Sequence, residues 1–210
     1  MLGEVCRKLV ESMQDQEVWN FFIKAMQRTC PKSDAQTYGE LKVTIDFFKN
    51  FCGDNVRYLA SAHRTPGDHL GQHATGYRFP YGPVGVITPF NFPLEIPVLQ
   101  MMGALFMGNK VLVKPDIKTG MPLEQFIRLL HYCGLPKTDL DFIYCEGPVM
   151  EHILKKSPAN QTLFTGSSHV AEHLVKQLKG KVRIEDAGFD WKVLGPDVPK
   201  NEREIEYIAW

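Results

Sequence analysis

The chain has 210 residues, 44% of them hydrophobic and 23% charged, and its formal net charge is zero. That is an ordinary globular balance, and it gives no electrostatic case for nucleic acid or an anionic membrane as partner. No apolar run reaches the roughly 20 residues of a transmembrane helix, and Met1-Leu2-Gly3-Glu4 opens neither a signal peptide nor an Arg- and Ser-rich transit peptide.

In chain order, residues 2–30 read as helix. Val5, Leu9, Val10 and Met13, then Trp19, Phe22, Ile23 and Met26, recur at helical spacing, and Asp15-Gln16-Glu17 is placed to cap a second helix. Cys30-Pro31 ends that block. A further helical block is expected from about Thr37 to Ser61, with Leu41, Ile45, Phe48, Phe51, Val56 and Leu59 as its apolar stripe and Gly53 as a break. Residues 62–83 are punctuated by Gly and Pro. His63, His69 and His73 lie there without the spacing of a zinc site or paired cysteines, so no metal is expected. The five cysteines (Cys6, Cys30, Cys52, Cys133, Cys145) are scattered, as expected of reduced thiols inside a cell.

From Val84 onward, short β-branched strands alternate with helices. Strands are predicted at Val84–Thr88, Lys110–Lys114, Asp141–Tyr144, Thr162–Phe164 and Val182–Glu185, and helices at Leu94–Met107, Met121–Cys133, Val149–Lys155 and Val170–Leu178. This pattern implies an α/β fold with a parallel sheet. Ligands of such sheets bind at the carboxyl ends of the strands, where several polar loops fall. Thr88-Pro89-Phe90-Asn91-Phe92-Pro93 places a primary amide after the first strand, a neutral donor suited to an oxygen gaining negative charge. Lys114-Pro115 ends the second strand with a cation, and Glu146-Gly147-Pro148 follows the third. Leu163-Phe164-Thr165-Gly166-Ser167-Ser168 ends a strand at a helix N-terminus, where free N–H groups suit a phosphate. No Gly-x-Gly-x-x-Gly fingerprint is present. Arg183-Ile184-Glu185-Asp186-Ala187-Gly188 ends the fifth strand with a carboxylate.

The order loop Asn, Lys-Pro, Thr-Gly-Ser, Glu resembles the aldehyde dehydrogenase family. The strings Phe90–Pro97, Leu129–Pro136 and Glu185–Lys192 are similar to its plant and protist delta-1-pyrroline-5-carboxylate dehydrogenase branch. The resemblance implies a Rossmann-type NAD-binding domain over residues 84–210, preceded by helices and an oligomerisation hairpin over residues 1–83. It makes Asn91 an oxyanion donor and Glu185 the base that activates the deacylating water. It places Thr88, Pro89, Phe90, Lys114, Gly147, Gly166 and Ser167 at the cofactor NAD. The family's carboxylate three residues after the Lys is Ile117 here, with Asp116 one residue earlier.

It implies oxidation of an aldehyde, glutamate semialdehyde, to glutamate in proline catabolism. The location implied is the mitochondrial matrix, and the full-length enzyme is expected to be a homo-oligomer. The family's nucleophilic cysteine matches none of the five present. The chain is therefore expected to be the amino-terminal part of such an enzyme, without its catalytic domain and inactive alone. The alternatives are a nucleotide-binding module without catalysis and a fragment that only pairs with intact subunits. Such a part is expected to leave apolar surface exposed, including Trp19, Phe21 and Phe22.

Overall fold

The structure is a computed structural model and describes residues 1–188, 193, 195–197 and 199–209. Phe189, Asp190, Trp191 and Lys192, which complete the last string above, lie outside the described residues.

The chain opens with α1 (Leu2–Ser12), α2 (Gln16–Thr29) and α3 (Asp34–Lys49). The Asp15 side chain accepts from the Glu17 N–H at 2.8 Å, the cap expected from the sequence. Ser33 and Gln36 form a reciprocal capping box at the start of α3. The expected helix to Ser61 is shorter: α3 stops at Lys49, and only the single turn α4 (Asn55–Tyr58) follows. Gly53 takes a left-handed φ of 65° at the break. Ser61–Pro66 (β1) then pairs antiparallel with His73–Tyr77 (β2). Residues of β1 are exposed on both faces, so no apolar alternation announces the strand in the sequence.

The remaining strands are β3 (Pro83–Ile87), β4 (Lys110–Lys114), β5 (Leu140–Phe142), β6 (Gln161–Gly166) and β7 (Val182–Asp186). They form one parallel sheet in the order β5-β4-β3-β6-β7. Helices α5 (Glu95–Phe106), α6 (Met121–Tyr132), α7 (Gly147–Lys156) and α8 (Ser168–Gln177) connect them, and α9 (Glu202–Ala209) follows. Val84, Val86, Val111 and Val113 are buried, as β-branched runs in a sheet covered on both faces should be.

One apolar cluster runs from Val5 and Leu9 of α1 through Phe22, Leu41 and Phe48 to Val113 and Phe126. Phe126 of α6 meets Phe22 at 5.4 Å between ring centroids and Phe48 at 5.8 Å. Phe22 is therefore buried, against the expectation that it would be exposed, because α6 covers the face that α2 presents. Phe21, on the neighbouring face, is 48% exposed. Around the β1–β2 hairpin, Leu70, Tyr77 and Phe79 are also exposed.

Candidate functional site

Because the five sheet strands are parallel, their carboxyl ends share one edge, and the loops leaving β3, β4, β6 and β7 meet there. They enclose a cleft of about 930 Å³. Each predicted site residue lines it: Thr88, Pro89, Phe90 and Asn91 after β3, Lys114 at the end of β4, Gly147 opening α7, Gly166 and Ser167 between β6 and α8, and Glu185 on β7.

Thr88 begins the first loop. Its N–H donates to the Lys114 carbonyl at 3.2 Å, which ties the ends of β3 and β4 together. Its hydroxyl is buried without a hydrogen-bond partner among the described residues. Such a hydroxyl carries a desolvation cost unless a ligand or water meets it. Asn91 is exposed at the cleft, and its side chain makes no hydrogen bond among the described residues. Phe92 and Leu94, which follow, are held by Lys32 just before α3 and by Glu40 within it, residues that the sequence did not single out.

Lys114 and Asp116 both line the cleft, whereas Ile117 is 48% exposed and lies outside it. The Asp116 carboxylate accepts from the Lys118 N–H at 2.9 Å, an Asx turn that fixes the loop. The acid beside Lys114 in the cleft is thus Asp116.

At the end of β6, Gly166 closes against Phe164. A Cβ at Gly166 would lie 2.7 Å from the Phe164 ring, so the position excludes a side chain. Ser167 is the N-cap of α8, lines the cleft and makes no side-chain cap bond, and the first N–H groups of a helix have no intrahelical partner. Glu185 pairs across the ladder with Thr165, whose hydroxyl donates to its carboxylate at 3.3 Å. The Gln100 amide of α5 donates to the same Thr165 hydroxyl at 2.5 Å. Thr165 belongs to the Thr-Gly-Ser string, but its bond to Glu185 was not visible in the sequence, and neither was Gln100, a common polar residue inside a helix.

Across the cleft mouth, Glu151 of α7 bonds Lys155 at 2.5 Å and His173 of α8 at 2.8 Å. These bonds hold its carboxyl below the usual 4.5.

Among the described residues, no cysteine lines the cleft. Cys6, Cys30 and Cys133 are buried, and burial pushes the Cys6 thiol up to about 12. Cys30 lies 4.0 Å from the Asn91 carbonyl, behind the loop and only 7% exposed. Among the described residues, no group of three or more His, Cys, Asp or Glu is arranged to hold a metal ion.

Similarity to known proteins bears on this cleft. A model of the aldehyde dehydrogenase family matches residues 3–190. The chain is 55% identical over its whole length to the mitochondrial delta-1-pyrroline-5-carboxylate dehydrogenase 12A1 of Arabidopsis thaliana, and spans 37% of that protein. Among solved structures, proline utilization A superposes with a TM-score of 0.77 at 25% identity, covering 89% of this chain and 20% of that one. Betaine aldehyde dehydrogenase of Staphylococcus aureus, solved in complex with NAD, superposes with a TM-score of 0.78 at 19% identity, covering 89% and 38%.

Proposed function

The chain belongs to the aldehyde dehydrogenase family, and from that premise we propose that its cleft binds NAD within an enzyme that oxidises an aldehyde to a carboxylate. The observation that carries the reading is the convergence of Thr88, Asn91, Lys114, Gly166 and Glu185 at one sheet edge. The cleft suits a dinucleotide. It holds an unpartnered buried hydroxyl at Thr88, free helix N–H groups beside Ser167, and a glycine at 166 whose Cβ would strike a ring. When bound, NAD supplies the hydride acceptor.

In this reading Lys114 donates to ribose hydroxyls. Gly166, Ser167 and the first turn of α8 receive the pyrophosphate. Gly147 lets backbone approach the adenine, and Thr88, Pro89 and Phe90 wall the opposite side. The Asp116 carboxylate would repel a 2′-phosphate, which favours NAD over NADP. Asn91 donates its side-chain amide to the aldehyde oxygen as that oxygen gains negative charge. Glu185, held by Thr165, takes a proton from the hydrolytic water.

None of the five cysteines reaches the cleft, so the nucleophile is assigned to sequence outside these residues. The chain is then the amino-terminal, cofactor-binding part of the enzyme, organised as helices and hairpin over residues 1–83 and the nucleotide domain over 84–210. By likeness to the Arabidopsis relative, the substrate is glutamate semialdehyde, oxidised to glutamate in the mitochondrial matrix. The exposed β1–β2 hairpin pairs subunits in the assembled enzyme. The cysteine-free cleft also favours a second reading, a nucleotide-binding fragment without catalysis.

Calorimetric titration of the purified chain with NAD and NADP tests the cofactor, and saturable binding that prefers NAD is expected. Incubation with glutamate semialdehyde and NAD should give no NADH. The same assay on a protein extended to carry the missing cysteine should give turnover. Turnover by the chain alone would show that the nucleophile has been misassigned, and an inactive extended protein would favour the second reading.

A further inference from the structure

Glu40 lies within α3, and its side chain is wholly shielded from solvent. One carboxylate oxygen accepts from the backbone N–H of Leu94 at 2.9 Å and of Glu95 at 3.1 Å. The other pairs with the Lys32 ammonium at 2.5 Å, and the Lys32 side chain is itself only 9% exposed. That ammonium also lies 3.8 Å from the centroid of the Phe92 ring. One interior ion pair therefore grips the Asn91 loop on both sides of Pro93, through the ring of Phe92 and the two amides that open α5.

The arrangement meets a local need. Leu94 is the N-cap of α5 and has no side chain able to accept a hydrogen bond. Glu40 supplies that acceptor from 54 residues away. A buried ion pair rarely stabilises a fold more than apolar packing would, because both charges lose their hydration. What it supplies in place of stability is direction: a carboxylate with two amides on one oxygen and a cation on the other has one orientation. The loop it fixes carries an exposed amide, Asn91, whose side chain makes no hydrogen bond among the described residues.

We infer that Lys32 and Glu40 are positioning residues for the Asn91 loop, setting from behind the cleft where the Asn91 amide points. The functional consequence rests on the cofactor reading above; the geometry does not.

The test uses Lys32→Met, which keeps the length of the side chain and removes its charge, beside Lys32→Arg, which keeps the charge over Phe92. Glu40→Gln is the second probe, retaining an acceptor for the two amides while losing the ion pair. NMR of the labelled chain reads the Asn91 side-chain amide signals and the exchange rates of the Leu94 and Glu95 amides. Lys32→Met should shift or broaden the Asn91 signals and speed exchange at Leu94 and Glu95 at least tenfold, and it should lower the midpoint of thermal unfolding because the Glu40 carboxylate is left buried without its cation. Lys32→Arg should restore the signals. Asn91 signals and Leu94 and Glu95 exchange unchanged in both Lys32→Met and Glu40→Gln would overturn the inference. So would a uniform loss of protection over the whole sheet with Asn91 unmoved. A wild-type chain that binds no NAD would remove the cofactor reading and leave the resonance test standing.

Discussion

Replacing Phe126 by Ala removes the ring at which α2, α3 and α6 meet. Phe126 has no exposed surface, and its neighbours Phe22 and Phe48 lie 5.4 and 5.8 Å away. Truncating a buried Phe costs about 3–5 kcal/mol in transfer and cavity terms. A whole domain holds only about 5–15 kcal/mol, so the substitution removes a large share of it. At roughly 2–4 °C per kcal/mol for a chain of this size, the thermal midpoint should fall by roughly 6–20 °C. The sharper readout is native-state hydrogen exchange at Leu41 in α3 and Val113 in β4, which belong to the same apolar cluster. If the helices and the sheet open as one unit, both amides lose the same protection. A fall at Leu41 with Val113 unchanged would refute the single core, and would show that the division proposed at residue 83 also separates folding units.

Gly166→Ala puts a methyl 2.7 Å from the Phe164 ring; titration should show NAD binding weakened about tenfold or more, with a stability loss of about 1–3 kcal/mol from the displaced ring. Unchanged affinity would take Gly166 out of the site. Lys155 and His173 hold the Glu151 carboxyl below 4.5, so its contribution is present above 4.5 and fades as pH falls through the lowered value. Urea unfolding of Glu151→Gln across pH should therefore show a flatter acid limb. Glu95 has the opposite sign. Burial first, and then the Glu40 charge, push its carboxyl above 4.5, so folding loses stability as pH rises from 4.5 through the raised value. Glu95→Gln should gain stability at neutral pH and show no gain below 4.5.

The sheet and most of its helices were legible because their signals are local. Val84–Thr88, bounded by Gly and Pro, and Lys110–Lys114 are short apolar runs rich in β-branched residues, and such runs form covered parallel strands in most contexts. The cleft followed from them, since parallel strands must deliver their terminal loops to one edge. What the sequence hid depends on contacts distant along the chain. Glu40 reads as one more polar residue of an amphipathic helix until Leu94 and Glu95 are brought onto it. Phe22 is expected to be partly exposed because an absent domain is taken to cover it, and nothing near it in sequence announces that Phe126 covers it instead. Residues 62–83 carry no period that marks β1 as a strand, because its residues are exposed on both faces, and the hairpin expected there came from the family resemblance alone. Asp116 could be assigned to the cleft only once the turn after β4 was seen to send Ile117 away from it.

The central claim is that the sheet-edge cleft is a dinucleotide site, and an NMR footprint of NAD on the labelled chain tests it most directly. The account predicts saturable shifts at the amides of Thr88, Lys114, Gly147, Gly166 and Ser167, with the β1–β2 hairpin and α1 silent. Saturable shifts confined to the hairpin or to the amino-terminal helices, or no shifts at millimolar NAD, would contradict it.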